Sequence, residues 1–177
     1  AKISYSGSSK EYFESGDSLL ITIIFAVLVV YLVLSAQFES FRNPITIILT
    51  VPIALTSGLY TLFLTGTSIN VYSQIGFLML IGLIAKNGIL VVEFANQLRR
   101  EGLKVEEAII QSSMIRLRPV MMTTISTLLG AIPLVLSSGA GSESRYSMAI
   151  VVLGGIAISS LITLYLVPAL YRLIETK

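Results

Sequence analysis

The sequence predicts an all-α membrane protein, a polytopic helix bundle with five transmembrane helices. Of its 177 residues, 54% are hydrophobic and only 12% are charged, whereas soluble domains carry about 25% charged residues. Five apolar stretches follow one another along the chain. Each has about the length that a helix needs to cross roughly 30 Å of hydrocarbon. We therefore expect the chain to cross a membrane five times.

The first predicted span follows a polar start. Residues 1–17 are polar and of mixed charge, and we interpret them as the end of a periplasmic region. Residues 18–36 are apolar and carry no charge. The two phenylalanines Phe38 and Phe41, just beyond this span, suit the belt of aromatic residues at a membrane interface.

The second span, residues 44–64, begins and bends at proline residues. Asn43 is expected to be the N-cap, with Pro44 at the first helical position. Pro52 lies inside the span, where it should bend the helix or leave a carbonyl free for a neighbouring helix.

The third span, residues 71–98, contains Lys86 and Asn87 near its middle. An ammonium at this depth costs about 2.5–3.5 kcal/mol on the scale derived from membrane insertion. Lys86 is several helical turns from either end, so it cannot easily extend its head group to the interface. We therefore expect Lys86 to face protein or trapped water and to meet an anion there.

The acidic residues of the chain do not offer Lys86 a partner. Nearly all ten lie in loops, tails or span ends. Glu93 shares the helix, but it is seven residues away, about 10 Å along the axis. The sequence therefore predicts a partner elsewhere in a larger assembly. The alternative is a structural contact of Lys86 with backbone carbonyls and no role in transport.

Basic residues orient the remaining segments. These segments are a cytoplasmic amphipathic linker at 101–117, a span at 119–136 opened by Pro119, a turn at 137–147, a span at 148–167 that ends at Pro168, and a cytoplasmic tail at 168–177. The connection between the third and fourth spans holds five Lys and Arg residues, whereas the connections on the other side hold only Arg145. The connection rich in basic residues is therefore cytoplasmic. The N-terminus is then periplasmic and the C-terminus cytoplasmic.

Polar side chains recur on the third and fourth spans. On the third, helical spacing places on one face Gly82, Lys86, Ile89, Glu93 and Asn96. On the fourth, Arg116 lies two turns before a group of hydroxyls: Thr123, Thr124, Ser126 and Thr127. These hydroxyls are predicted to line a wet path beside Lys86, with Arg116 at its cytoplasmic mouth. The alternatives are hydroxyls bonded to their own helix and an Arg116 that only anchors the helix at the interface.

Other residues indicate packing or exclude kinds of site. The small residues Gly82, Ala85 and Gly88 of the third span, and those from Gly154 to Ser160 in the fifth, are typical of helix packing. The chain has no Cys and no His, which excludes thiolate and imidazole metal sites and His-based catalysis. We expect no enzyme activity, no cofactor and no nucleic-acid partner.

Two long strings of residues resemble one family. The string from Gln74 to Ala95 resembles the tenth transmembrane helix of resistance-nodulation-division (RND) efflux pumps, most closely their hydrophobe/amphiphile multidrug branch. Arg116-Leu117-Arg118-Pro119-Val120-Met121-Met122-Thr123-Thr124 resembles the opening of that family's eleventh helix. Phe38 to Phe41, Val51-Pro52 and Ser138 to Ser142 also fit.

The resemblance implies a larger machine. The family's protomer has twelve spans, of which this chain would be the last five, and it forms trimers in the bacterial inner membrane. These pumps are in contact with membrane lipid and exchange protons for hydrophobic or amphiphilic molecules. They work with a periplasmic adaptor and an outer-membrane channel. Lys86 matches the lysine that pairs with two aspartates on the fourth span. Arg116 and Thr123 match residues of the family's proton relay. Asn87, next to Lys86, is assigned to the same relay.

Three other interpretations stay open from the sequence. A metal-exporting pump of the same superfamily would be expected to carry ordered Met pairs, and the Met residues here are scattered. A non-transporting membrane module is disfavoured by the strings around Lys86 and Arg116. An inactive fragment is the third interpretation, because the aspartate half of the relay is not in these 177 residues.

Overall fold

The computed structural model describes residues 8–175, with side chains from residue 21 onward. These residues form six α-helices and, within that range, no strand. The helices are α1 (Ser8–Phe38), α2 (Asn43–Ile48), α3 (Val51–Thr65), α4 (Val71–Arg100), α5 (Val105–Val135) and α6 (Ser142–Glu175). Because α2 and α3 together make one span, five helical segments are long and apolar enough to cross a membrane. The predicted all-α membrane bundle is confirmed.

The start of the chain is more helical than its polarity indicated. Of the predicted periplasmic stretch 1–17, residues 1–7 lie outside the described residues, and the rest form the first turns of α1. From Ile21 onward α1 exposes large apolar side chains, including Phe25 at 66% and Leu32 at 55%. Among the described helices, α1 packs on α2 and α4. Its exposed surface is suited to contact lipid or another part of a larger protein.

The second span is interrupted just before Pro52. The helix stops at Ile48 and restarts at Val51, because Pro52 has no N–H to donate to the carbonyl four residues earlier. The Thr50 hydroxyl donates to the carbonyl of Ile47 at 2.6 Å. The prediction that Pro52 disturbs this helix is therefore correct.

Asn43 does not cap α2 as predicted. The helix begins at Asn43 itself, and Arg42 occupies the cap position without a side-chain hydrogen bond. The Asn43 side chain is buried, and its Oδ1 has no partner among the described residues. The backbone at Arg42 is already helical (φ −84°, ψ −45°), so the turn closes one residue earlier than an extended Asn cap would allow.

The largest difference from the sequence-based prediction concerns the boundaries of α5 and α6. After a tight turn at Gly102 (φ +103°), most of the predicted linker 101–117 and of the span at 119–136 form one helix, Val105–Val135, which runs through Pro119. In α6, Pro168 also lies inside the helix instead of ending it. A proline in a membrane helix is tolerated where neighbouring groups satisfy the freed backbone. The two prolines are therefore not boundaries here.

The bundle contains two hydrophobic cores at different depths. The Tyr171 core is made of Leu34, Ile47, Ala85, Val91, Val92, Ala95, Ile109, Val167 and Tyr171. The Phe77 core is made of Ala54, Leu62, Phe77, Leu80, Ile84, Ile150, Val151, Val152 and Ile156. Helices α4 and α6 contribute to both, whereas α2 contributes to the first and α3 to the second. The two cores meet on α4 at Ile84 and Ala85.

The start of α4 is fixed by a reciprocal cap. Asn70 Oδ1 accepts from the backbone N–H of Ser73 at 2.9 Å, and Ser73 Oγ accepts from the backbone N–H of Asn70 at 2.8 Å. The Asn70 amide also donates to Ser147 Oγ at 3.0 Å. These bonds satisfy free N–H groups of the first turn and join α4 to α6, which fixes the position of the helix that carries Lys86.

Candidate functional site

Lys86 lies on the exposed side of α4. Gly82 and Glu93, which share its face, are also exposed, whereas Ile84 and Ala85 on the other side are 1% and 4% exposed. Among the described side chains, no carboxylate is paired with Lys86. Gly82, Lys86 and Glu93 of the predicted polar face are therefore directed away from the bundle core, whereas Ile89 packs against the core.

The glycines beside Lys86 have different surroundings. A methyl group at Gly88 would lie 3.2 Å from Cγ2 of Ile47, so α2 approaches α4 closely there. A methyl group at Gly82 would meet no atom within 4 Å in the described chain. The predicted packing role therefore applies to Gly88, and the space beside Gly82 is open.

Three helices, α4, α5 and α6, line a recess of about 30 Å³ at Lys86. It is lined by Leu83, Lys86, Asn87, Thr123, Thr124, Thr127 and Ile156. A space of this size is large enough for a water molecule. Three of the four predicted site residues, Lys86, Asn87 and Thr123, therefore share one small polar space.

Ser160 of α6 contacts two of the residues that line the recess. The Asn87 amide donates to Ser160 Oγ at 3.5 Å, and the Thr124 hydroxyl donates to the same oxygen at 3.5 Å. Ser160 is 2% exposed and Thr124 is 6% exposed. Sequence reasoning assigned Ser160 to helix packing, because neighbouring small residues gave no signal that its hydroxyl would face two other helices.

The other threonines of α5 bond mainly to their own helix. The Thr123 hydroxyl donates to the carbonyl of Val120 at 3.0 Å, and the Thr127 hydroxyl donates to the carbonyl of Thr123 at 2.8 Å. Such bonds are common for hydroxyls in spans. The oxygen of Thr123 keeps its lone pairs, so it can still accept a hydrogen bond in the recess.

Arg116 is not brought to the recess. Its guanidinium carbon lies 4.5 Å from the centre of the Phe94 ring, and Phe94 is eight residues from Lys86, about 12 Å along α4. Its Nε is buried and has no hydrogen-bond partner among the described residues. Arg116 thus belongs to a separate contact between α4 and α5, two turns from Lys86.

Polar contacts also join the far ends of α4 and α6. Tyr171 is fully buried, and its hydroxyl donates to Asn96 Oδ1 at 2.6 Å. Arg99 donates to the Tyr171 oxygen at 3.3 Å and forms an ion pair with Glu175. Nearby, Arg172 pairs with Glu106 of α5 at 2.5 Å. These contacts hold α4, α5 and α6 in register with one another.

The described part of the chain holds no group of three or more His, Cys, Asp or Glu side chains that could bind a metal ion. The polar groups at Lys86 are instead an ammonium, an amide and hydroxyls. Such groups bind water and anions and can exchange hydrogen bonds. The arrangement is suited to proton movement or helix coupling.

Comparison with known proteins covers nearly the whole chain. A family model described as the AcrB/AcrD/AcrF family matches residues 1–175. An uncharacterized transporter of Haemophilus influenzae is 37% identical over 98% of the chain and 17% of its own length. The multidrug resistance protein MdtC of Proteus mirabilis is 43% identical over 94% of the chain and 16% of its own length.

The MdtC protein of Escherichia coli O9:H4 is 42% identical, over 95% of the chain and 16% of its own length. The chain therefore spans about one sixth of the length of the curated relatives that it matches.

Proposed function

Because the chain belongs to the AcrB/AcrD/AcrF family, as its resemblance to RND efflux pumps implied, we propose that it is the C-terminal membrane part of a proton-driven multidrug efflux transporter. The transporter exchanges protons for hydrophobic or amphiphilic molecules. In this proposal, the chain supplies Lys86, Asn87, Thr123 and Arg116 to the proton relay. The position of Lys86 is the single observation that carries the proposal.

Lys86 is a charge at mid-span that points out of its own bundle. Its ammonium would cost about 2.5–3.5 kcal/mol against lipid, and no described carboxylate neutralises it. A partner from another helix of the whole protein removes this cost. The resemblance to RND pumps assigns that place to two aspartates on the fourth span, which would face the open side of α4 beside Gly82.

The recess gives the relay a second side. Asn87, Thr123 and Thr124 line the recess beside Lys86 with groups that donate and accept hydrogen bonds, and the space is large enough for water. Protonation of the aspartates weakens their hold on Lys86. The ammonium then turns toward the recess, and α4 and α5 shift relative to each other. The periplasmic domains of the whole protein receive this shift.

Arg116 contributes from two turns away. Its charge lies on Phe94, not in the recess, so it cannot take a proton directly from Lys86. We place it on the stretch of the path between Lys86 and the cytoplasmic connection, where its charge repels a proton until the helices shift.

The partners and location follow from the family. We propose a homotrimer in the bacterial inner membrane that works with a periplasmic adaptor and an outer-membrane channel. The N-terminus of the present chain would be periplasmic and its C-terminus cytoplasmic, since Arg99, Arg100 and Lys104 lie together at the turn between α4 and α5.

Replacing Lys86 in the full-length pump tests the proposal. Lys86→Ala is expected to abolish drug efflux while expression and trimer assembly stay normal. The reason is that the aspartates lose the ammonium whose pairing with them changes when they are protonated. Lys104→Ala is the matched control, since it removes an exposed ammonium at the turn before α5. Normal drug resistance with Lys86→Ala would contradict the proposal.

A further inference from the structure

The side chain of Ser160 contacts two helices other than its own. Its oxygen accepts from Asn87 of α4 and from Thr124 of α5, each at 3.5 Å. The residue next to it behaves differently, because the Ser159 hydroxyl donates to the carbonyl of Gly155 in its own helix. Both serines are buried, so the difference lies in direction and not in depth.

From this difference we infer that Ser160 is a positioning residue of the proton relay and that α6 is its third member. The inference rests on the proposed function. Ser160 holds the Asn87 amide and the Thr124 hydroxyl at the rear of the recess. Since Asn87 and Lys86 both line the recess, a fixed amide limits the directions in which the ammonium can turn there.

Two features make this arrangement more than helix packing. Asn87 and Thr124 both line the recess that contains Lys86, so the groups that Ser160 holds are those that the moving ammonium would meet. Lys86 is also the one titratable side chain among the residues that line this recess. The hydrogen bonds at Ser160 can therefore affect the one charged group of the recess, the ammonium of Lys86.

Ser160 also has a hydrogen left to donate. As an acceptor of two hydrogen bonds it uses both lone pairs of the hydroxyl oxygen, and none of the contacts between described residues gives its own O–H an acceptor. A hydroxyl in this state can release one of its two donors and donate in return. When α4 and α5 shift, the O–H of Ser160 can thus donate to a new acceptor.

The test compares Ser160→Ala with Ser159→Ala in the full-length pump reconstituted in vesicles. Ser160→Ala is expected to lower drug transport per assembled trimer about threefold to tenfold, the scale of one hydrogen bond. The drug concentration at half-maximal transport should not change. The pH of half-maximal transport should shift by roughly 0.4–1 unit. Ser159→Ala should leave all three quantities at the wild-type values.

A second variant guards against a folding defect. Thr124→Val removes the hydroxyl with little change in shape, and it should reproduce the shift in pH profile. Combined with Ser160→Ala, it should add little further loss, because both variants break the same contact. Additive losses, or a wild-type pH profile in Ser160→Ala and in Thr124→Val, would overturn the inference.

Lys86→Ala, measured in the same vesicles, separates the two proposals. If Lys86→Ala transports normally, the proposed relay fails and the role of Ser160 fails with it. If Lys86→Ala is inactive while Ser160→Ala keeps the wild-type rate and pH profile, the relay stands and only the role of Ser160 is refuted.

Discussion

The guanidinium of Arg116 stacks on the ring of Phe94, with 4.5 Å between the guanidinium carbon and the ring centre. This contact joins α5 to α4 two turns from Lys86, and the predicted place of Arg116 at the mouth of a wet path stays a prediction. Contacts of this kind contribute about 0.5–2 kcal/mol, with larger values where water is excluded. Because the Arg116 Nε has no described partner, the ring is its main identified contact.

Phe94→Leu is therefore expected to destabilise the pump by about 0.5–2 kcal/mol, since the cation loses its aromatic partner. The check is the apparent melting temperature of the full-length protein in detergent, which should fall. Phe41→Leu is the control, because Phe41 is 73% exposed in a connection between helices. Equal melting temperatures for the two variants would show that the stacking contributes nothing.

The approach of α6 to α3 predicts a steric effect at Gly154. A methyl group there would lie 2.5 Å from Cβ of Thr61, and no rotamer of Thr61 can move that atom. Gly154→Ala should therefore force the helices apart and cost about 1–3 kcal/mol, as overpacking does elsewhere. Reduced yield of assembled trimer and a lower melting temperature are the measurements.

Gly130→Ala is the matched control for that substitution. Gly130 also lies within a helix, but a methyl group there meets nothing within 4 Å in the described chain. Alanine is a better helix former than glycine by up to about 1 kcal/mol, so this variant should be as stable as the wild type or slightly more so. A Gly154→Ala protein that matches Gly130→Ala would contradict the close approach.

Tyr171 provides a prediction at the other end of the bundle. Tyr171→Phe removes the hydroxyl that donates to Asn96 and accepts from Arg99. The loss leaves polar groups underpaired beside a fully buried ring and should cost about 1–3 kcal/mol. We expect a lower melting temperature for Tyr171→Phe and no change for Tyr165→Phe, whose side chain is 82% exposed. Similar values for the two variants would refute the proposed role of these hydrogen bonds.

The sequence could predict the spans because each depends on length and hydropathy, which are local properties. It could also identify Lys86, since a charge in an apolar stretch needs no knowledge of its neighbours. The ends of the helices were harder to predict. Pro119 and Pro168 resemble helix boundaries in water, but both lie inside helices here, because neighbouring helices can satisfy the backbone that proline frees.

The roles of individual polar side chains depended on the packing of other helices. Ser159 and Ser160 are neighbours of the same type, and only the rotation of α6 decides which hydroxyl faces α4 and α5. Arg116 and Thr123 share a helical face, as predicted, but the ring of Phe94 holds the arginine away from the recess. No local pattern contains this information.

The two hydrophobic cores have a mechanical consequence. Packed cores deform little internally, so the Tyr171 core and the Phe77 core are two stiff regions that follow one another along the bundle. They adjoin at Ile84 and Ala85, next to Lys86 in the sequence of α4, and the helical interruption at Leu49–Thr50 separates α2 of one core from α3 of the other. Because α4 and α6 run unbroken through both cores, they would carry a displacement at Lys86 toward both ends of the bundle.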